Sequence, residues 1–115
     1  LGSDELQQKG LFELSQMAKV IRKIVKEIPK EIDWILRVDG HTDKTKFLNG
    51  AKFTDNWELS QARALSVVKY FISEELLPAE RFAATGFGEF QPIDKGENEK
   101  ALARNRRIEI KLTER

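Results

Sequence analysis

Two long segments of the chain place apolar side chains at spacings of three and four residues, the period of an α-helix with one buried face. The first helix is predicted over residues 6–28, and Pro29 ends it. The second is predicted to begin near Asn56 and to close at Leu77 and Pro78. Their buried faces are expected to comprise Leu14, Met17, Ala18, Ile21, Ile24, Val25 and Ile28 in the first helix, and Ala64, Val67, Val68, Phe71 and Ile72 in the second.

Shorter segments between and after these helices carry strand patterns. Residues 33–39 alternate, residues 81–85 form a short strand candidate before a glycine, and residues 107–112 alternate strictly. The stretch 44–55 has no clear period and is predicted to be a loop, as is the polar stretch 91–98. The strand side chains expected to share inward faces are Trp34, Leu36, Val38, Ile108, Ile110 and Leu112.

The order of these segments predicts the fold class. Helices that alternate with strands favour an α+β fold, a two-layer α/β sandwich in which two main helices pack on one face of a mixed β-sheet, with a hairpin-like finish. A length of 115 residues fits one domain, residues 1–115, and leaves little room for two.

Composition excludes several classes of protein. The chain has no cysteine, which excludes disulfide scaffolds, thiol nucleophiles and cysteine-based zinc sites. A net charge of +1 is atypical of a dedicated nucleic-acid binder. No apolar run approaches the roughly 20 residues that cross a bilayer, and the first residues do not form a secretory signal. If the protein is tethered to a membrane, we expect the tether in a segment absent from this chain.

Residue types that support catalysis are scarce. His41 is the single histidine, no serine lies in a Gly-x-Ser-x-Gly elbow, and Gly86-Phe87-Gly88 lacks the third glycine of a dinucleotide motif. A pair of carboxylates that meet in space stays open as a glycosidase alternative, although no local pattern favours it. We therefore expect a protein that is not an enzyme and has no cofactor and no metal site.

A polar group converges on the second helix. Asp43 follows a predicted strand end, and Asn56, Leu59 and Arg63 lie at positions i, i+3 and i+7 of the helix, so they share one face. One interpretation is structural, an ion pair between Asp43 and Arg63 together with an asparagine cap. The other is a small zwitterion site, in which the carboxylate takes an ammonium group and the guanidinium binds a carboxylate.

A basic run over residues 104–107 precedes the last strand. It is either the solvated start of that strand or the source of an arginine that reaches back to the same pocket. Because neighbouring side chains on a strand point to opposite faces, Arg106 and Arg107 cannot both do so. Acidic residues surround the run, which disfavours a nucleic-acid surface.

Four motifs follow one another along the chain: Gly40-His41-Thr42-Asp43, then Asn56-Trp57-Glu58-Leu59-Ser60-Gln61-Ala62-Arg63-Ala64, then Gly86-Phe87-Gly88-Glu89 with Gln91-Pro92, and finally Asn105-Arg106-Arg107-Ile108-Glu109-Ile110. In this order they resemble the OmpA C-terminal-like domain family. That family includes the peptidoglycan-associated lipoprotein and the periplasmic part of the MotB flagellar stator subunit. The resemblance covers about residues 3–112.

The resemblance implies non-covalent binding of peptidoglycan through the diaminopimelate of its stem peptide, without catalysis. Asp43 and Arg63 match the family's principal ligand pair. The other matching pocket positions are Thr42, Asn56, Leu59 and, directly after the motif's asparagine, Arg106.

The resemblance also implies a place in the cell envelope. The domain is expected to anchor a larger envelope or inner-membrane protein, such as a flagellar-stator-like proton-channel subunit, to the wall in the periplasm of a diderm bacterium. A membrane channel partner, reached through an N-terminal segment absent from the chain, and a homodimer are further expectations, whereas nucleic acid is not. The alternative is a periplasmic protein–protein adaptor that keeps the fold without wall binding.

Three departures from the family pattern matter. The loop 44–55 is longer than in the lipoprotein type and is similar to the stator branch. Ala101-Leu102 stands where the family has Gly-Arg, which puts the placement of Arg106 in question. The family's first strand would lie before Leu1, so the sheet is expected to lack that edge strand.

Overall fold

The computed structural model describes residues 8–45 and 55–115. The start of the predicted first helix and most of the predicted loop 44–55 lie outside the described residues. The elements in chain order are α1 Gln8–Val25, β1 Trp34–His41, α2 Asn56–Ser73, a 3-10 turn Ala79–Arg81, β2 Phe82–Gly86, α3 Glu99–Asn105 and β3 Arg107–Glu114.

Strand β1 is the centre of a three-stranded sheet with the order β2-β1-β3. β2 runs parallel to β1, with Phe82 opposite Leu36, and β3 runs antiparallel to it, with Ile110 opposite Val38. The sheet is therefore mixed, as predicted. The predicted hairpin-like finish is wrong, because β3 pairs with β1 and not with the strand that precedes it. The loop after β2 and helix α3 carry the chain from one side of β1 to the other.

The hydrophobic core lies between the sheet and the two long helices. Trp34, Leu36 and Val38 alternate along β1 and are buried, as the strand pattern predicts. They form one cluster with buried side chains of both helices, which confirms the two-layer sandwich. The helix members of this cluster are Leu14, Ala18 and Ile21 of α1, and Ala64, Val67, Val68 and Phe71 of α2.

Three apolar residues that the patterns place inside are exposed, namely Ile24, Ile72 and Leu112 at 45%, 37% and 40%. Ile24 and Ile72 lie at the edges of their helical stripes, where a helix packed on one surface turns away from the core. Leu112 lies in the second half of β3, whose residues pass from half-buried to exposed along the strand. Periodicity alone therefore predicts more buried residues on each face than the structure contains.

Helix α3 is the element that the sequence patterns miss. The side chain of Asn98 caps it by accepting a hydrogen bond from the backbone nitrogen of Ala101 at 2.8 Å. At its other end, Asn105 is buried; its Oδ1 accepts from the backbone nitrogens of Ile93 and Asp94, at 2.9 and 3.1 Å. The helix is too short to display a period, and the capping asparagine is its local sequence signal.

Candidate ligand-binding site

Close packing of α2 on the sheet positions the site. Gly40 of β1 and Gly86 of β2 lie opposite each other in register, both against the start of α2. A Cβ atom on Gly40 would overlap the backbone carbonyl of Ser60, and one on Gly86 would lie 2.6 Å from the backbone nitrogen of Gln61. Because glycine alone lacks a Cβ, it permits this approach, and the segment after β1 emerges beside the N-terminal half of α2.

Asp43 lies in that segment and is only 3% exposed. Its Oδ1 accepts a hydrogen bond from the backbone nitrogen of Thr45 at 2.7 Å, and its Oδ2 accepts one from Nη1 of Arg106 at 2.6 Å. Burial acts to raise the pKa of Asp43, but the hydrogen bonds from Thr45 and Arg106 outweigh it and hold the pKa below its ordinary value. The buried carboxylate is therefore ionised at neutral pH.

Thr42 fixes the backbone around this carboxylate. Its backbone nitrogen donates to the carbonyl of Gly88, and its hydroxyl donates to the carbonyl of Asp43, both at 2.9 Å. Gly88 has a φ of 65°, in the left-handed region that favours glycine, and its nitrogen donates to the hydroxyl of buried Ser60 at 2.9 Å. These contacts join the segment after β1, the loop after β2 and α2.

Asn56 belongs to the site and is not the cap of α2. The cap is Asp55, whose side chain accepts from the backbone nitrogen of Glu58 at 2.9 Å. The side-chain amide of Asn56 is therefore available to other partners. It donates, at 3.2 Å in each case, to the carbonyls of Asp43 and Thr45 and to Oε1 of Glu89.

Arg106 binds two carboxylates at once. Nη1 donates to Asp43 and Nη2 donates to Glu99, both at 2.6 Å. The hydrogen bonds to Glu99 and Asp43 raise the pKa of the Arg106 guanidinium. Ala101, at the position where the resemblance leads us to expect glycine, is buried in α3, and Arg106 still reaches Asp43.

Arg63 lies on the same helix as Asn56, about two turns further on. It lines an open cavity of about 320 Å³ together with Arg106, Arg107 and Ile108. Among residues 8–45 and 55–115, the ion pair of Asp43 is with Arg106, and a pair between Asp43 and Arg63 is not found. The other predicted position, Leu59, is buried on the same helix.

A second polar cluster lies on the face of the sheet opposite the helices. The ring of buried His41 stacks on Phe87, with ring centroids 5.1 Å apart, and neither ring nitrogen has a hydrogen-bond partner within the described chain. The carboxylate of Glu109 is 3.8 Å from Nε2 of His41 and accepts a hydrogen bond from Arg107 at 2.5 Å. Burial and the charge of Arg107 lower the pKa of His41, so its ring is neutral. These residues line a cavity of about 290 Å³.

The charged groups of Asp43, Arg106 and Arg63 are suited to bind a small zwitterion. They include an ionised carboxylate and an adjacent guanidinium, and a second guanidinium shares the cavity beside them. In the described ranges, no group of three or more His, Asp, Glu or Cys side chains could hold a metal ion. No helix in these ranges is long and apolar enough to span a membrane.

Three residues of the site are absent from the sequence predictions: Thr45, Glu89 and Glu99. Glu89 ends the third motif, which is the signal that could have indicated it. Thr45 donates to Asp43 from both its backbone and its side chain, but it lies in a stretch without a clear period, so no pattern indicated it. Glu99 could not be placed because its position depends on α3.

These features define a small α/β sandwich domain with a charged pocket at the end of its central strand. The sequence model of the OmpA family matches residues 1–106. The chain therefore belongs to the OmpA family.

Two curated relatives come from Bacillus subtilis. The uncharacterized protein YtxE is 35% identical over 115 residues, which cover 91% of this chain and 45% of that protein. Motility protein B is 32% identical over 103 residues, covering 83% of this chain and 39% of that protein. The chain thus spans less than half the length of these relatives.

A solved structure has the same fold. The C-terminal domain of Helicobacter pylori MotB, residues 125–256, superposes with a TM-score of 0.81 at 28% identity. The match covers 97% of this chain and 79% of that one. This likeness confirms the predicted OmpA-like sandwich and its similarity to MotB domains.

Proposed function

We propose that this domain binds peptidoglycan non-covalently through the diaminopimelate of the stem peptide and performs no catalysis. The observation that carries the proposal is the buried, ionised carboxylate of Asp43 in contact with Arg106, beside the cavity that Arg63 lines. The free end of diaminopimelate carries one ammonium group and one carboxylate. One acid and two arginines are complementary to that pair of charges.

Asp43 retains capacity for a ligand. A carboxylate offers about four lone-pair positions, and hydrogen bonds from the Thr45 backbone, the Thr45 side chain and Arg106 use three of them. The proposed ligand ammonium donates to the remaining position, while Arg63 and Arg106 donate to the ligand carboxylate. Thr42 and Asn56 hold the backbone around Asp43, and Leu59 supports the pocket from α2.

The setting that we propose is the cell envelope. The chain resembles part of motility protein B, whose name indicates a role in motility. We propose that the domain anchors a larger membrane-tethered protein, such as a stator-like channel subunit, on the periplasmic side and as a homodimer with a channel partner. That the protein comes from a diderm bacterium is part of this proposal.

Binding is tested with purified sacculi and with a stem peptide that contains diaminopimelate. We expect Asp43→Asn, Arg63→Ala and Arg106→Ala each to weaken binding about tenfold or more, because hydrogen bonds to charged groups contribute about 1.5–3 kcal/mol. The measurements are co-sedimentation with sacculi and titration calorimetry with the peptide.

The matched control is Arg104→Ala, two residues before Arg106. Arg104 is exposed, and its guanidinium pairs with Asp94 at 2.5 Å rather than with Asp43. We expect this variant to bind as the unmodified domain does. Full binding by all three site variants would overturn the assigned site, and a folded domain that does not bind would favour the adaptor function.

A further inference from the structure

Arg106 is held by two carboxylates that differ in burial. Asp43 and Glu99 both accept from its guanidinium at 2.6 Å. The side chain of Asp43 is 3% exposed, whereas that of Glu99 is 76% exposed. Asp43 is thus fixed by its surroundings, while Glu99 approaches from the solvent side at the start of α3.

The two contacts occupy different nitrogens of one guanidinium. Nη1 is taken by Asp43 and Nη2 by Glu99. A guanidinium binds carboxylates through its N–H groups in a fixed planar arrangement. A ligand carboxylate that uses Nη2 of Arg106 therefore meets a position that a carboxylate of the protein already fills.

We propose that Glu99 is an intramolecular competitor of the ligand, and that the ligand carboxylate replaces it on Nη2 of Arg106. This inference rests on the proposed function, since it concerns the same site. Displacement is easy because an exposed ion pair is weak and the released Glu99 carboxylate is hydrated at once. Asp43 stays in place as the partner of the ligand ammonium. Glu99 thereby lowers the affinity for the wall and keeps binding reversible.

The replacement depends on the charge of the incoming group. A carboxylate matches Glu99 in charge and geometry, so it can take its place on the guanidinium. A carboxamide is neutral and forms a weaker hydrogen bond, so it leaves Glu99 on Arg106. Removal of the Glu99 charge should therefore favour the ligand with a free carboxylate and leave its amidated counterpart unaffected.

The test compares Glu99→Gln with the unmodified domain by titration calorimetry. The probes are a diaminopimelate stem peptide and the same peptide with the free end of diaminopimelate amidated. We expect Glu99→Gln to bind the first peptide about two- to fivefold more tightly, the range expected for loss of an exposed ion pair. We expect both proteins to bind the amidated peptide equally.

Glu97→Gln is the matched control. Glu97 lies two residues away, is 81% exposed in its side chain and pairs with Lys44 at 2.6 Å, but it does not contact Arg106 in the described chain. We expect this variant to bind both peptides as the unmodified domain does. An equal gain in Glu97→Gln would indicate a general charge effect and overturn the inference.

The outcomes separate the two proposals. If the unmodified domain binds the free-carboxylate peptide and Glu99→Gln binds it equally or less tightly, the inference is wrong and the proposed function remains. If Glu99→Gln gains as much for the amidated peptide, the ligand carboxylate does not replace Glu99. If the folded domain binds neither peptide, the proposed function fails, and the inference fails with it.

Discussion

Two buried polar side chains at the end of β1, His41 and Asp43, lie two residues apart and have opposite environments. Both carboxylate oxygens of Asp43 accept hydrogen bonds, and its charged partner Arg106 reaches solvent. Neither ring nitrogen of His41 has a hydrogen-bond partner in the described chain, and its ring stacks on Phe87. The pKa of each is lowered, so that Asp43 is charged and His41 is neutral.

This difference shows that burial of a polar residue does not by itself identify a binding site. The region around Asp43 presents ionised groups next to an open cavity, which a charged ligand can use. Around His41, the charges of Arg107 and Glu109 are turned toward each other. Arg107 also donates to the carbonyl of Gln91 at 2.9 Å, so this region holds the loop after β2 in place.

The largest expected effect concerns Gly40, which precedes His41 and lies under α2. In Gly40→Ala the new methyl group overlaps the Ser60 carbonyl, so α2 must move away from the sheet. We expect the free energy of unfolding to fall by about 3 kcal/mol. Urea denaturation followed by circular dichroism measures the change.

Gly10→Ala is the control for this substitution. Gly10 lies in α1, and a methyl group there has no described neighbour within 4 Å. Alanine is the better helix former, so we expect a gain of about 0.5–1 kcal/mol. Equal stabilities of Gly40→Ala and Gly10→Ala would contradict this account, because they would show that α2 does not pack closely on Gly40 and so does not position Asp43.

A smaller effect is expected at His41. His41→Phe keeps a ring against Phe87 and removes two buried nitrogens that lack partners. Because burial of an unsatisfied polar group is costly, we expect the free energy of unfolding to rise by about 1 kcal/mol. Urea denaturation measures it, and binding of the stem peptide should be unchanged. Lost binding in a folded variant would make the 290 Å³ cavity beside His41 part of the site.

The pH dependence of stability gives the smallest effect. Burial and Arg107 lower the pKa of His41 from 6.5, with Lys111 acting in the same direction and Glu109 and Asp39 opposing. As the pH falls through about 6.5, the unfolded chain therefore binds a proton more readily than the folded chain does, and the free energy of unfolding falls. We expect a weaker decline in His41→Phe between pH 7 and pH 5, measured by urea denaturation. Equal declines would show that His41 does not titrate in this way.

The sequence predicted the layers of the fold because they depend on local periodicity. The alternation of Trp34, Leu36 and Val38 and the helical spacing of Ala64, Val67 and Phe71 correspond to the observed core. The pairing of β3 with β1 could not be predicted in this way, since it depends on how the chain between β2 and β3 passes β1. Nor does a two-turn helix leave a period to recognise.

For the site, motif spacing grouped Asp43 with Asn56, Leu59 and Arg63, and the resemblance added Arg106, but neither indicated how these residues pair. Asp43 and Arg63 converge in the sequence pattern, whereas the ion pair described for Asp43 is with Arg106, 63 residues away. Contacts over such separations depend on the tertiary fold. The role of Glu99 could not be predicted for the same reason, because its carboxylate reaches Arg106 only through the placement of α3.

The most direct test of the site is a titration of the ¹⁵N-labelled domain with the diaminopimelate stem peptide, followed by amide chemical shifts. We predict the largest shifts at Thr45, Asn56 and Arg106, and little change at Asp39 and Lys111 on the opposite face. Shifts confined to that opposite face, with the amides around Asp43 unmoved, would contradict the assignment of the ligand site.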